Sequence, residues 1–230
     1  MLFLLTGDVQ IGKTRWLEKL CADLAAAGTC VAGVIAPGQW IARPEGQPGG
    51  KHGLDGAGCF EKLGIDNVLL PQNTRIEFAR RRDLACAGQT FAEGAQAKMA
   101  QLGWAISDEA IAQVNSHFGA LANAAGVTPA SKPAAPTTTS PNLAPGALLV
   151  VDELGRLELL HDCGLTNALS ILDAGPTPAF PHALAVVRDT LLDEAVRRFK
   201  PVWGKPTAIG PNDASRALVA NAVGAPQIAR

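Results

Sequence analysis

Charged residues are scarce in this sequence of 230 residues: they make up 18% of the chain, and the formal net charge is −1. So neutral a chain lacks the basic surface expected of proteins that bind nucleic acid or anionic membranes. A membrane-spanning helix needs about 20 mostly apolar residues in a row, and every apolar run in this sequence is much shorter. Met1–Leu5 is apolar, but it is too short for a secretion signal and has no basic residues before it. We therefore expect a cytoplasmic protein that binds neither nucleic acid nor a membrane.

Cysteine and histidine give no sign of a structural metal site. The 5 cysteines form no C-x-x-C pair, and their odd number argues against a disulfide framework. Reduced and mostly buried thiols are the better explanation. The 4 histidines are dispersed, and none is assigned to a metal. Hydrophobic residues, in contrast, reach 47%, which is enough for a full core and excludes global disorder.

Short apolar runs alternate with helical periodicity along most of the chain. Four short apolar runs are typical of buried strands: Leu2–Leu5, Val31–Ala36, Leu148–Val151 and Leu184–Val187. Apolar residues at helical spacing follow most of these runs. Such alternation predicts an α/β fold with a mainly parallel sheet and helices on both faces. The length fits one domain spanning residues 1–230.

Two segments depart from this pattern. Residues 37–64 are rich in glycine and proline and have little periodicity, which indicates a hairpin or a lid-like insertion built on loops. Residues 127–145 form a Pro/Thr/Ala/Ser tract that cannot bury enough apolar surface to offset the entropy of ordering. We expect this tract to be a disordered surface loop, with a role in binding a protein partner as the less favoured alternative.

The turn after the first strand fits the pattern G-x-x-x-x-G-K-S/T. Gly7 and Gly12 allow a tight turn that brings backbone N–H groups close to phosphate oxygens. The helix beginning near Lys13 directs its positive end at the same anion. Lys13 is suited to the β- and γ-phosphates, and the Thr14 hydroxyl to Mg²⁺. This segment, the phosphate loop, predicts binding of a nucleoside triphosphate such as ATP or GTP, and it consists of Gly7, Asp8, Val9, Gln10, Ile11, Gly12, Lys13 and Thr14.

A second acidic element complements the loop. The apolar run Leu148–Val151 ends in Asp152 and Glu153. At the carboxyl end of a buried strand, Asp152 is placed to reach the Mg²⁺ ion opposite the loop. Glu153 is then placed to polarise a water for attack on the γ-phosphate.

The segment Asp152–Leu159 reads Asp-Glu-Leu-Gly-Arg-Leu-Glu-Leu. Together with the phosphate loop it resembles a family of small nucleoside triphosphatases known from thermophiles and also described as cancer-related nucleoside triphosphatases. Ala185–Asp189 and the strand–turn–helix pattern of Thr207–Val223 are similar to that family too. The resemblance covers most of the chain in order, except for the two irregular segments.

This resemblance implies a RecA-like P-loop core and Mg²⁺-dependent hydrolysis of several nucleoside triphosphates to diphosphate and phosphate. It also implies that Lys13, Thr14, Asp152 and Glu153 form the active site. The chain departs from the family at Gln10, where a glycine is common.

Several other residues are candidates for the site. Arg188 follows a neighbouring strand and is placed either to stabilise charge on the γ-phosphoryl group or to form an ion pair with Asp189 or Glu194. Arg156 and Glu158 are candidates for the site wall, with a structural anchor as the alternative for Glu158. Trp40 and Arg43 could stack on a base, although covering apolar surface is the better explanation for Trp40. No Asn-Lys-x-Asp element is present, so guanine selectivity of the GTPase kind is not indicated.

The sequence leaves two alternatives to hydrolysis open. The same loop serves nucleoside and small-metabolite kinases, with residues 37–64 closing over an acceptor. A nucleotide-dependent adaptor or assembly factor, in which binding matters more than turnover, would also carry such a loop.

Overall fold

The computed structural model describes residues 1–9, 11–43, 51–52, 59–87, 93–96, 104–130 and 143–229. The strands are β1 (Leu2–Leu5), β2 (Val31–Ile35), β3 (Gly38–Arg43), β4 (Lys51–His52), β5 (Cys59–Leu70), β6 (Thr74–Arg81), β7 (Trp104–Ile106), β8 (Leu148–Leu154), β9 (His182–Val187) and β10 (Thr207–Ile209). The helices with defined bounds are α1 (Lys13–Ala26), α2 (Arg82–Ala87), α3 (Asp108–Ala124), α4 (Arg156–His161), α5 (Thr166–Ala174), α6 (Leu192–Trp203) and α7 (Asp213–Ala222).

One sheet joins all of these strands, in the order β10-β1-β9-β8-β2-β5-β6-β7, with β3 and β4 paired to β5. The first five strands of that order are parallel to one another. Their carboxyl ends therefore share one edge of the sheet, where ligands of open α/β folds bind. β9 lies between β1 and β8, so the strand before the phosphate loop and the acidic strand are not direct neighbours.

The remaining strands form an antiparallel wing, which we define as β3 to β7. It joins the parallel strands through β5, which pairs antiparallel with β2. The hairpin expected within residues 37–64 is present as β3 paired with β5, and it extends the sheet. Residues 44–50 and 53–58 of the expected insertion lie outside the described residues.

Apolar side chains are buried on both faces of the parallel strands. Alternate residues of β1 point to opposite faces, so Leu2 and Leu4 belong to one cluster and Phe3 and Leu5 to another. The first cluster packs against α3, α5 and α6, and the second packs against α1 and α7. The predicted α/β fold with helices on both faces of a parallel sheet is thus confirmed.

Local signals agree with the structure at α3. Ser107 caps the helix by accepting a hydrogen bond from the Ala110 N–H at 3.3 Å.

Of the Pro/Thr tract, residues 131–142 lie outside the described residues, while Val127 and Leu143 near its ends pack against the core. In the part of the chain that is described, no helix combines the length and apolarity needed to cross a membrane.

Candidate functional site

The phosphate loop connects the buried end of β1 to the first turn of α1. Gly7 and Gly12 have positive φ angles of 135° and 99°, and most other residues would be strained there. The Lys13 ammonium donates hydrogen bonds to two carbonyls of its own loop, those of Gly7 and Asp8, the latter at 2.8 Å. Lys13 thus curls back over its own loop. Gln10 lies outside the described residues.

Asp189 holds the start of this loop. Its carboxylate accepts hydrogen bonds from the Gly7 N–H at 2.8 Å and from the Thr6 hydroxyl. The sequence suggested Asp189 only as a partner of Arg188. Asp189 is the second residue after β9, and the pairing of β9 with β1, which brings it to the loop, is a feature of the tertiary structure.

Asp152 lies near the end of β8 with only 3% of its surface exposed. Its carboxylate accepts a hydrogen bond from the Ala36 N–H at 3.0 Å. Burial raises the pKa of Asp152 to about 6, and the Ala36 N–H and the Thr14 side chain oppose that rise. Thr14 also lines one cavity with Glu153, the residue after Asp152, so the end of the phosphate loop lies close to the end of the acidic strand.

Arg188 stands between the loop and the acids because β9 separates β1 from β8. Neighbouring strands lie about 4.8 Å apart, so β1 and β8 are separated by about 10 Å, with β9 and the following Arg188 between them. Arg188 Nε donates to Glu153 Oε1 at 2.6 Å. The expected ion-pair partners, Asp189 and Glu194, were wrong: the first anchors the loop, and the second pairs with Arg197.

A cavity of about 700 Å³ opens beside these residues. Six predicted site residues line one side of it: Val9, Gly12, Lys13, Thr14, Glu153 and Arg188. The opposite side belongs to the antiparallel wing and includes Trp40, Phe60, Lys62, Arg75 and Trp104. The cavity is thus closed on one side by the phosphate loop and strand ends, and on the other by residues of the inserted strands.

Of those wing residues, only Trp40 was predicted from the sequence. Trp40 lines the cavity with 37% of its surface exposed, while the side chain of Arg43 lies outside the described part of the chain. No sequence signal pointed to Phe60 and Lys62 on β5 or to Trp104 on β7, because β5 and β7 are far apart along the chain and are brought together by their pairing with β6.

Arg75 is fixed on the cavity wall by a buried acid. Asp66, which is 5% exposed, accepts hydrogen bonds from Arg75 at 2.6 Å and from Gln39 Nε2 at 2.5 Å. Burial raises the pKa of Glu18 on α1, and the nearby Arg75 and Arg15 oppose that rise. Arg75 therefore contributes to the electrostatic link between the wing and the helix that follows the phosphate loop.

Glu158 is a structural anchor and does not belong to the cavity wall. Its carboxylate is 5% exposed and accepts hydrogen bonds from the N–H groups of Gly155 at 2.9 Å and Leu165 at 3.0 Å. Burial raises the pKa of Glu158, and these hydrogen bonds oppose the rise. Arg156 is exposed at the start of α4, and among the described residues neither side chain lines the cavity.

Replacing Glu158 by glutamine tests this anchor role. The amide keeps one acceptor but turns an N–H₂ group toward a buried backbone donor, so we expect the free energy of unfolding to fall by about 1–3 kcal/mol. Urea unfolding measures the change. In the matched control Glu109→Gln, on the exposed side of α3, the change should stay within about 0.5 kcal/mol. Unchanged stability with weakened nucleotide binding would instead place Glu158 in the site.

The donors at the junction of loop and acidic strand suit a hard cation. Thr14 offers a hydroxyl oxygen and Asp152 a carboxylate oxygen, and Thr14 lies close enough to Asp152 to lower the pKa of its carboxyl group. Mg²⁺ is typically held by one or two such protein ligands together with phosphate oxygens and water. Among the described residues, no group of three or more His, Cys, Asp and Glu side chains could hold a metal ion. The pair therefore fits a cation that arrives with a nucleotide.

Comparison with known proteins bears on the fold. No protein-family model matches the chain, and no curated protein sequence does either. The crystal structure of THEP1 from the hyperthermophile Aquifex aeolicus is similar over 97% of this chain and 96% of that chain, with a TM-score of 0.51 and 11% sequence identity. Because fold alone does not establish activity, this likeness leads to one conclusion: the chain has the α/β fold of a P-loop NTPase.

Proposed function

We propose that this protein hydrolyses nucleoside triphosphates to diphosphate and phosphate in a Mg²⁺-dependent reaction. The observation that carries the proposal is the shared cavity: Lys13 and Thr14 of the phosphate loop line it together with Glu153, which directly follows Asp152. A loop that binds phosphates, two oxygen ligands for a cation and a carboxylate for water then lie around one pocket.

The loop and α1 bind the phosphate chain. The first turn of α1 (Lys13–Trp16) contains no acidic residue, so no charge within the helix competes with a bound anion. Lys13 already lies over the loop, and phosphate oxygens can replace the carbonyls of Gly7 and Asp8 as its acceptors. Thr14 and Asp152 would hold Mg²⁺, which when bound would neutralise charge on the phosphate oxygens.

Glu153 and Arg188 act next to the γ-phosphate. They form an ion pair with each other at 2.6 Å. A γ-phosphate between β1 and β8 competes for the Arg188 guanidinium, because Arg188 follows the strand between them. Glu153 then becomes free to orient a water and accept its proton. Arg188 stabilises negative charge on the phosphoryl group.

The size of the cavity supports a second candidate, a small-metabolite kinase. The cavity continues past the phosphate loop along Trp40, Phe60 and Trp104, which gives an acceptor a place to bind. The two candidates differ in their product. Hydrolysis yields inorganic phosphate alone, whereas a kinase phosphorylates a metabolite and consumes nucleotide faster in its presence.

A nucleotide panel tests the proposal. We expect the purified chain to release phosphate from ATP, GTP, CTP or UTP with Mg²⁺, and to stop when EDTA is added. Lys13→Ala removes a hydrogen bond from a charged group, so it should weaken nucleotide binding roughly 10- to 100-fold. Lys205→Gln is the matched control and should bind nucleotide like the wild type. The Lys205 side chain is exposed and precedes the first residue of β10, at the edge of the sheet away from the phosphate loop.

The same panel separates the alternatives. Nucleotide binding without phosphate release from any of the four triphosphates would overturn hydrolysis and favour a nucleotide-dependent adaptor. Transfer of label from the γ-phosphate to a metabolite would favour the kinase.

A further inference from the structure

Lys62 places a cation on the cavity wall opposite the phosphate loop. Lys62 lies on β5 directly across from Trp40 of β3. Its ammonium lies 5.9 Å from the ring centre of Trp40 and 5.5 Å from that of Trp104 on β7. Both distances fall within the range of cation–π attraction, which reaches about 6 Å. Three wing strands thus contribute to holding one ammonium group at the cavity.

The backbone after β2 sets this cation close to the acidic pair. The Ala36 N–H binds the Asp152 carboxylate, and Gly38 follows two residues later. A Cβ atom at Gly38 would lie 2.6 Å from Lys62 Cε and 2.6 Å from Trp40 Nε1. Gly38 therefore leaves the space through which the Lys62 side chain reaches the cavity.

The Lys62 ammonium has no ion-pair partner among the described residues. Two acids lie nearby: Glu153 is paired with Arg188, and Asp152 accepts a hydrogen bond from the Ala36 N–H. Burial lowers the pKa of Lys62, while the charges of Asp152 and Glu153 act against that change from a distance. A partly desolvated cation that lacks a contacting anion favours binding of an anionic ligand group.

We propose that Lys62 binds the γ-phosphate of a nucleoside triphosphate from the side opposite Lys13. This inference rests on the proposed function, because it requires a nucleotide on the phosphate loop. Lys13 contacts the phosphates from the loop, and Lys62 contacts the terminal phosphate from the wing side of the cavity. Lys62 thereby strengthens binding of a triphosphate but not of a diphosphate.

Affinities for two nucleotides test this role without any turnover. The affinities of wild type and Lys62→Met are measured for ADP and for the non-hydrolysable β,γ-imido analogue of ATP, both with Mg²⁺. Methionine keeps an unbranched stem over the two indole rings and removes the charge. We expect Lys62→Met to bind the ATP analogue at least about tenfold more weakly and ADP unchanged. Lys205→Gln is the charge-matched control and should alter neither affinity.

The outcomes separate this inference from the proposed function. Equal weakening of both nucleotides in Lys62→Met would show a general charge or structural effect and overturn the γ-phosphate contact. Unchanged affinity for both would overturn it as well. Failure of the wild type to bind either nucleotide would instead remove the proposed function. Lys62→Arg keeps the positive charge, so it should bind the ATP analogue more tightly than Lys62→Met does. If only the packing of the lysine stem mattered, the arginine variant would not regain this affinity.

Discussion

Replacing Glu153 by glutamine should slow phosphate release at least about 100-fold, because proton transfer by a positioned side chain contributes about 10²- to 10⁴-fold to such reactions. Glutamine is nearly the same size and keeps a carbonyl oxygen that can accept the hydrogen bond from Arg188. The geometry around Arg188 is therefore retained, while the group that accepts the proton from water is lost. Nucleotide affinity should change by no more than roughly threefold, since the phosphate contacts come from the loop.

Single-turnover phosphate release with saturating enzyme measures this loss separately from binding. The control is Glu18→Gln, which removes a carboxylate from the same cavity but from α1. It should change the rate only a few-fold. A Glu153→Gln protein with undiminished turnover would exclude Glu153 from the reaction, and an equal loss in both variants would point to the overall charge of the cavity.

Replacing Asp152 by asparagine should abolish Mg²⁺-dependent hydrolysis and yet stabilise the metal-free protein. Burial raises the pKa of Asp152 from 3.8 to about 6 in the folded state. When the pKa of a group is higher in the folded protein than in the unfolded chain, the protonated group favours folding. This contribution to stability is fully present below the unfolded-state pKa, and it is lost as the pH rises through the folded-state pKa. At pH 8 the buried carboxylate thus costs about 2–3 kcal/mol, since one pKa unit corresponds to about 1.4 kcal/mol. Asparagine has no charge and keeps an acceptor for the Ala36 N–H.

Urea unfolding in EDTA at pH 8 and at pH 4 measures this effect. We expect Asp152→Asn to exceed the wild type in free energy of unfolding by about 2–3 kcal/mol at pH 8, and the difference to become small near pH 4. Asp193→Asn, at the exposed start of α6, should change stability by no more than about 0.5 kcal/mol at either pH. A less stable Asp152→Asn protein at pH 8 would show that its hydrogen bonds outweigh burial of the charge.

Local patterns in the sequence were enough to predict the elements that carry the candidate site. The phosphate loop combines a buried strand, two glycines and a helix start, all within Leu2–Ala26, so neighbouring residues determine its shape. The acidic strand is recognisable because an apolar run ends abruptly in Asp152 and Glu153. Burial on both faces of parallel strands produces such runs, and their alternation with helices predicted the α/β fold.

Tertiary structure alone decided which side chains meet. The sequence does not specify that β9 lies between β1 and β8. Because of this strand order, Arg188 forms an ion pair with Glu153, and Asp189 accepts a hydrogen bond from the Gly7 N–H. The pairing of β3, β5, β6 and β7 likewise brings Lys62 between two indole rings. The alternation of apolar and polar residues indicates which face of a strand is buried. Strand order and register, in contrast, depend on contacts between residues far apart in the chain.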